Sequence, residues 1–273
     1  MPEGPSLVIL REAATPLVGL KVREASGNTR IDLERLRGKR LCAVRTWGKH
    51  FLMDFGDVSV RVHMLMFGSW CIDERKDKPV RLSLQFTRKR ELNFYSSAVR
   101  TLDEPLDTLY DWSADVMADE WNPRAARRKL KAMPDTICAD ALLDQDVFSG
   151  VGNIIKNEVL HRIRVHPETR IGDLPPRKLG DLIREARAYS FDFLRWKQEF
   201  TLRKHWQVHA KKTCPRDGTP LSYAKHLGRL QRRAFWCDAC QRRYGAAAPA
   251  VDPSPAPAPV RTTRGTKSAL SRR

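Results

Sequence analysis

The chain opens Met1-Pro2-Glu3-Gly4-Pro5-Ser6, a start that places a secondary amine one residue behind the initiator methionine. Initiator methionine is removed when the next residue is small, so Pro2 is expected at the mature terminus. An α-amino group titrates near pH 8, and burial favours its neutral form. A neutral proline nitrogen can attack an aldehyde-level carbon and form an iminium without any side-chain lysine. Glu3 lies beside it, and Lys49 sits in a Trp47-Gly48-Lys49-His50 turn; both can move protons. Three cysteines supply a second kind of chemistry, Cys214 and then Cys237-x-x-Cys240. A zinc ribbon would carry cysteine at 214, 217, 237 and 240, and position 217 is Asp. Carboxylate ligates zinc, so Cys214, Asp217, Cys237 and Cys240 are expected to hold one structural Zn2+, with His226 or His209 the alternative fourth ligand.

Two further stretches carry recognition chemistry. Gly150-Val151-Gly152-Asn153 joins two apolar helical runs, and its glycines let backbone amides approach a phosphate while Asn153 caps the second helix and offers an amide to the same oxygen. His63-Met64-Leu65-Met66-Phe67-Gly68 runs bulky apolar side chains into a glycine turn; Leu65, Met66 and Phe67 on an exposed loop can wedge into a base stack. Arg229, Arg232 and Arg233 precede Cys237, where a hairpin can lay guanidinium groups on phosphate.

These residues need elements to position them, and charge and periodicity outline those elements. The 273-residue chain has a formal net charge of +18, unevenly spread. Residues 1–120 hold 19 Lys/Arg against 18 Asp/Glu, residues 121–244 hold 26 against 13, and the remainder holds 5 against 1. The basic half therefore carries the field that an anionic polymer would feel. No run of about 20 apolar residues would span a bilayer, and no basic-then-apolar leader precedes Pro2, so a reducing bacterial cytoplasm is expected. Cys42, Cys71 and Cys138 then read as core thiols. A helix is expected from Ser6 to Ala14, followed by strands over 40–46, 50–55, 58–63, 69–72, 81–87 and 92–96 in a two-sheet β-sandwich. Helices are expected over 124–133, 139–144, 154–161 and 177–193. The fold expected is α+β and multidomain: a β-sandwich domain with an N-terminal helix (1–120), a helical domain (121–205), a Cys-bounded β-hairpin finger (206–244) and a disordered basic Ala/Pro-rich tail (245–273).

In this order the motifs resemble the Fpg/Nei family of bifunctional DNA glycosylases, over roughly residues 1–244. The family pattern is an N-terminal Pro-Glu, a sandwich with a lysine in a Gly-Lys turn, a helix–two-turn–helix ending in Gly-x-Gly-Asn, and a C-terminal zinc finger. The resemblance implies that Pro2 attacks the sugar C1′ of a damaged nucleotide, that Glu3 is the general acid/base, and that Lys49 contacts phosphate and assists protonation. It implies that Asn153 and Arg232 clamp phosphates and that the strand is cut by β,δ-elimination. Pro-Glu-Gly-Pro, the Leu65-Met66-Phe67 wedge and the lack of an Arg-Phe-Gly motif after Tyr95 resemble the endonuclease VIII branch. Oxidised pyrimidines in duplex DNA, or abasic sites, are the expected substrates of a monomer at the bacterial nucleoid, with formamidopyrimidine-type purine specificity the alternative. Ser6 stands where the family usually has a second glutamate, and Asp217 where it has a cysteine. A non-catalytic binder of damaged DNA would keep the clamp and finger alone, and an N-terminal-proline tautomerase would have no use for a basic finger.

Overall fold

The structure is a computed structural model that describes residues 2–245. The tail expected to be disordered lies, apart from Gly245, outside the described residues. Helix α1 (Gly4–Ala14) starts with Pro5 in its first turn, where the missing N–H costs nothing. It ends at Thr15, whose hydroxyl donates to the Arg11 carbonyl just before Pro16. The expected stripe of Leu7, Leu10 and Ala14 is buried against the sheet.

Six strands follow: β1 (Val22–Ser26), β2 (Ala43–Trp47), β3 (His50–Asp54), β4 (Ser59–Ile72), β5 (Leu82–Phe86) and β6 (Glu91–Leu102). They form one antiparallel sheet in the order β1-β5-β6-β4-β3-β2. The two layers expected of a sandwich are two halves of this sheet. The first half of β4 pairs with β3 and the second half of β6, while the second half of β4 pairs with the first half of β6, which also pairs with β5. Between these halves the β4 register breaks, from Met64 to Ser69, and the sheet turns over on itself. Phe51 and Phe94, one from each half, meet at 5.8 Å in the shared core. Strands expected separately over 58–63 and 69–72 are thus one strand, and Leu65, Met66 and Phe67 occupy its interruption rather than a free loop. β1 went unpredicted because Val22-Arg-Glu-Ala-Ser buries only Val22.

After the short α2 (Leu106–Leu109), α3 (Pro123–Lys131) is capped by Asn122, whose side-chain oxygen accepts the Arg124 and Ala125 N–H groups. α4 (Cys138–Ala141), α5 (Asn153–Arg162) and α6 (Pro176–Gln198) close a second apolar core. The hairpin β7 (Ser222–Leu227) and β8 (Arg232–Trp236) packs on α5. Of the expected core thiols, Cys71 and Cys138 are buried and Cys42 is exposed, because it lies just outside β2 at the sheet edge. No helix among the described residues is long and apolar enough to cross a membrane.

Two buried carboxylates fasten the hairpin. Glu158, on α5, accepts the backbone N–H groups of Gln207, Val208 and His209 at 2.8–3.0 Å. Asp140, on α4, accepts those of Arg229 and Leu230 at the hairpin turn. Replacing Glu158 with Ala leaves three backbone donors without their acceptor. Denaturant unfolding is expected to show a loss of about 3 kcal/mol or more.

Candidate active site and metal centre

Glu3 precedes α1, and its carboxylate reaches across the molecule to the start of α5. Oε1 accepts the Ile154 N–H at 2.7 Å and Oε2 the Ile155 N–H at 3.2 Å. Gly4 N–H adds a bond to the Gly150 carbonyl at 2.9 Å. Gly152 is the N-cap residue of α5 and has no side chain to cap with; a Cβ there would strike the Glu3 carboxylate. Asn153 was expected to cap this helix. It is instead the first helical residue, and Glu3, 151 residues away, caps in its place.

Burial raises the Glu3 carboxyl above its usual range, opposed by the α5 amides and the Lys49 charge. Lys49 responds in the opposite sense. Desolvation lowers it, Glu3 raises it, and Arg232 lowers it further. The electrostatics therefore put Glu3, Lys49 and Arg232 within one field although they come from three separate elements.

The turn carrying Lys49 is held from behind by a residue the sequence reading missed. Gly48 has φ +53, and its N–H donates to Asp115 Oδ2 at 2.9 Å, while Asp115 Oδ1 accepts the Met117 N–H. Burial pushes the Asp115 carboxyl up to about 6. Ser149 N–H donates to the Ala114 carbonyl, and Val116 N–H to the Ser149 carbonyl, so this segment laces the lysine turn to the glycine-rich turn before α5. His50 and His63 pack edge to face at 5.5 Å beside Lys49, and both are lowered chiefly by burial, His50 to about 3.

Pro2 and Ser6 line a cavity of about 840 Å3, bordered by Met64, Gly68, Ile154 and the 200–206 segment. Leu65, Met66 and Phe67 project beside its rim, 46%, 65% and 83% exposed. Asn153 is half-buried, its Oδ1 accepting from Lys156 Nζ at 3.0 Å, and Arg232 is exposed at the start of β8.

Cys214, Asp217, Cys237 and Cys240 present one donor atom each, all within 4.8 Å of one another. Three thiols and a carboxylate so spaced fit a tetrahedral divalent cation. The Asp217 carboxylate is held well below its usual range, first by the Thr219 hydroxyl. Burial, then the neighbouring Cys237, pushes the Cys240 thiol up to about 11, a cost that a bound cation removes by taking thiolates as ligands. Neither His226 nor His209 joins the cluster; His209 instead bonds Asn157 and packs on Trp206. His161 Nε2, 3.5 Å from Cys214 Sγ, flanks it and was not anticipated.

Sequence profiles described as the formamidopyrimidine-DNA glycosylase N-terminal domain and H2TH domain match residues 1–100 and 113–189. Endonuclease 8 2 of Mycobacterium tuberculosis is 30% identical over 226 residues, 76% of this chain and 86% of that protein. Endonuclease 8-like 3 of Xenopus laevis is 30% identical over 231 residues, 80% of this chain but only 37% of that protein. The chain thus spans little more than a third of the endonuclease 8-like 3 relatives it matches. A crystal structure of a viral DNA glycosylase superposes with a TM-score of 0.75 at 20% identity, covering 88% of this chain and 100% of that one. The Lactococcus lactis formamidopyrimidine-DNA glycosylase bound to abasic-site DNA gives the same score and identity, covering 88% and 99%.

The raised Asp115 pKa has a testable sign. Protonated Asp115 is favoured in the fold, so its contribution is complete below its ordinary 3.8 and is lost as pH rises through about 6. Asp115→Asn removes this titration. Between pH 4 and pH 7 the wild type is expected to lose about 2 kcal/mol of stability relative to the variant, read from denaturant melts at each pH.

Proposed function

The chain belongs to the Fpg/Nei family of DNA glycosylases, and from that premise we propose that it is a base-excision-repair DNA glycosylase with AP lyase activity. The observation that carries the reading is the convergence of Pro2, Glu3 and Lys49 on the glycine-rich turn and the start of α5, where Glu3 caps the helix. With Met1 removed, the Pro2 nitrogen attacks C1′ of an everted nucleotide. An N–C1′ bond forms, the glycosidic bond breaks, and the base leaves with a proton. Glu3, whose burial favours its protonated form, supplies a proton to the ring oxygen as the sugar opens to the iminium. Lys49, whose ammonium burial makes a stronger acid, is poised to give a proton to the leaving base and to hold phosphate. Loss of the 3′ and then the 5′ phosphate from the iminium sugar is β,δ-elimination, and hydrolysis frees Pro2.

Asn153 and Arg232 are assigned to the phosphates, and Leu65, Met66 and Phe67 to the gap that a flipped nucleotide leaves in the stack. Oxidised pyrimidines in duplex DNA are the favoured substrates. Support comes from the cavity beside Pro2, which among the described residues is lined by Lys76, Lys197 and Arg203 and by no carboxylate, an environment suited to added carbonyl oxygens. The four-donor cluster is read as a structural Zn2+ site that fixes the hairpin bearing Arg232. Six cysteines without a disulfide support a reducing compartment, and we place the protein as a monomer at a bacterial nucleoid.

Borohydride trapping on duplexes containing thymine glycol, dihydrouracil or an abasic site tests the chemistry. A covalent adduct is expected for the wild type and none for Pro2→Gly or for protein retaining Met1; absence of any wild-type adduct would leave a binding-only protein. Metal analysis tests the finger. About one zinc per chain is expected in the wild type, lost in Cys237→Ser together with DNA affinity; zinc-free wild type that binds DNA normally would refute the metal assignment.

A further inference from the structure

Lys156 stands one turn into α5, on the side away from solvent, and only 1% of it is exposed. Its ammonium donates to Asn153 Oδ1 at 3.0 Å and to the Arg233 carbonyl at 2.8 Å. Among the described residues no carboxylate lies within ion-pair distance of it, and the charges it feels first are Arg232, then Asp140 and Glu3 further off. A buried lysine without a counter-ion is costly, and an apolar side chain of similar length would remove that cost.

The donor inventory supplies a reason for its presence. A charged ammonium can only donate, so an asparagine beside it must turn its oxygen inward. That leaves Asn153 Nδ2, a pure donor, facing the outside of the helix terminus, which is the polarity a phosphate oxygen requires. The Glu3 carboxylate has already taken over the capping of α5, so the Asn153 side chain is released from the role its position would otherwise give it. The second bond of Lys156 ends on Arg233, adjacent to Arg232 at the start of β8. One ammonium therefore touches both phosphate-contacting elements.

We propose that Lys156 is a positioning residue for DNA: it fixes the Asn153 amide with its NH2 group outward and locks that group in register with Arg232 on the hairpin. The inference rests on the reading of Asn153 and Arg232 as phosphate contacts. Lys156 itself touches no phosphate.

The test is a double-mutant cycle on affinity for a duplex carrying a tetrahydrofuran abasic analogue, which is bound without being cut at a glycosidic bond. Lys156→Met is expected to weaken binding about tenfold while leaving the unfolding midpoint unchanged or raised. Asn153→Ala is expected to weaken it similarly, and Asn153→Asp at least as much, since aspartate satisfies Lys156 but has no outward donor. The double variant Lys156→Met/Asn153→Ala should bind within about twofold of Asn153→Ala alone, because both changes remove one interaction. Lys156→Arg, again a donor-only group, should recover most of the affinity. Unchanged affinity in Lys156→Met, or losses that add fully in the double variant, would overturn the proposal. Borohydride trapping run in parallel separates it from the enzymatic reading. A wild type that binds the analogue with this coupling but forms no adduct loses the glycosylase assignment and keeps this one; a wild type that traps normally without the coupling does the reverse.

Discussion

One carboxylate organises the molecule. Glu3 is fixed by two amides at the N-terminus of α5, and because it is the residue after Pro2, the proposed nucleophile is placed wherever that helix begins. The interaction joins the first residues of the chain to a turn 150 positions later, across two separate apolar cores. It also sets the proton affinity of Glu3 through two opposed effects. Burial favours the acid, and the helix amides and Lys49 favour the carboxylate. A group held between such influences can both hold and release a proton, as opening a sugar ring and reversing the step demand.

The same geometry accumulates positive charge. Lys49 is half-buried and Lys156 fully so, and both are destabilised by the field of Arg232. Hairpin docking brings this about: Asp140 holds its turn, and Glu158 holds the segment leading to it. The fold confines Lys49, Lys156 and Arg232 close enough that Arg232 lowers both lysines, a repulsion that a phosphate bound as proposed would relieve. Under the proposed function, backbone binding of DNA and assembly of the active site would share this charge balance.

How far the sequence discloses this depends on where each signal lies. Pro2-Glu3, the Gly48-Lys49 turn, Gly-x-Gly-Asn and the cysteine spacing are local patterns of unusual residues; the structure brings Glu3, Gly48 and the glycine-rich turn together at the start of α5, sets Pro2 on the neighbouring cavity and gathers Cys214, Asp217, Cys237 and Cys240 in one cluster. The strands expected over 50–55 and 81–87 match β3 and β5 within a residue because alternating burial is also local, whereas β6 runs on to Leu102, past the 92–96 expected; the bend that makes two layers of one sheet has no sequence mark beyond the Leu65–Gly68 irregularity. What stayed hidden was the set of buried polar residues. On α5, Lys156, Asn157, Glu158 and His161 are all buried, whereas charge on a helix ordinarily reads as its solvent face. Their partners, backbone groups of residues 207–209, 233 and 235 together with the Gln207 and His209 side chains, come from a segment about 50 to 80 positions away. Asp115 escaped notice for the same reason, being a carboxylate whose partner is a backbone amide 67 residues distant.

The serine at position 6 gains its meaning from this arrangement. It lines the cavity beside Pro2, where the related pattern has a second carboxylate, and among the described residues the rest of that lining carries three cations and no acid. Two carboxylates close together raise each other's proton affinity, since both cannot ionise at full strength. With serine at position 6, burial raises the Glu3 carboxyl and the α5 terminus and Lys49 oppose it. Under the proposed function, proton transfer near the sugar then falls to Glu3, the carboxylate that also caps α5, and the cavity wall presents its positive charge to the base.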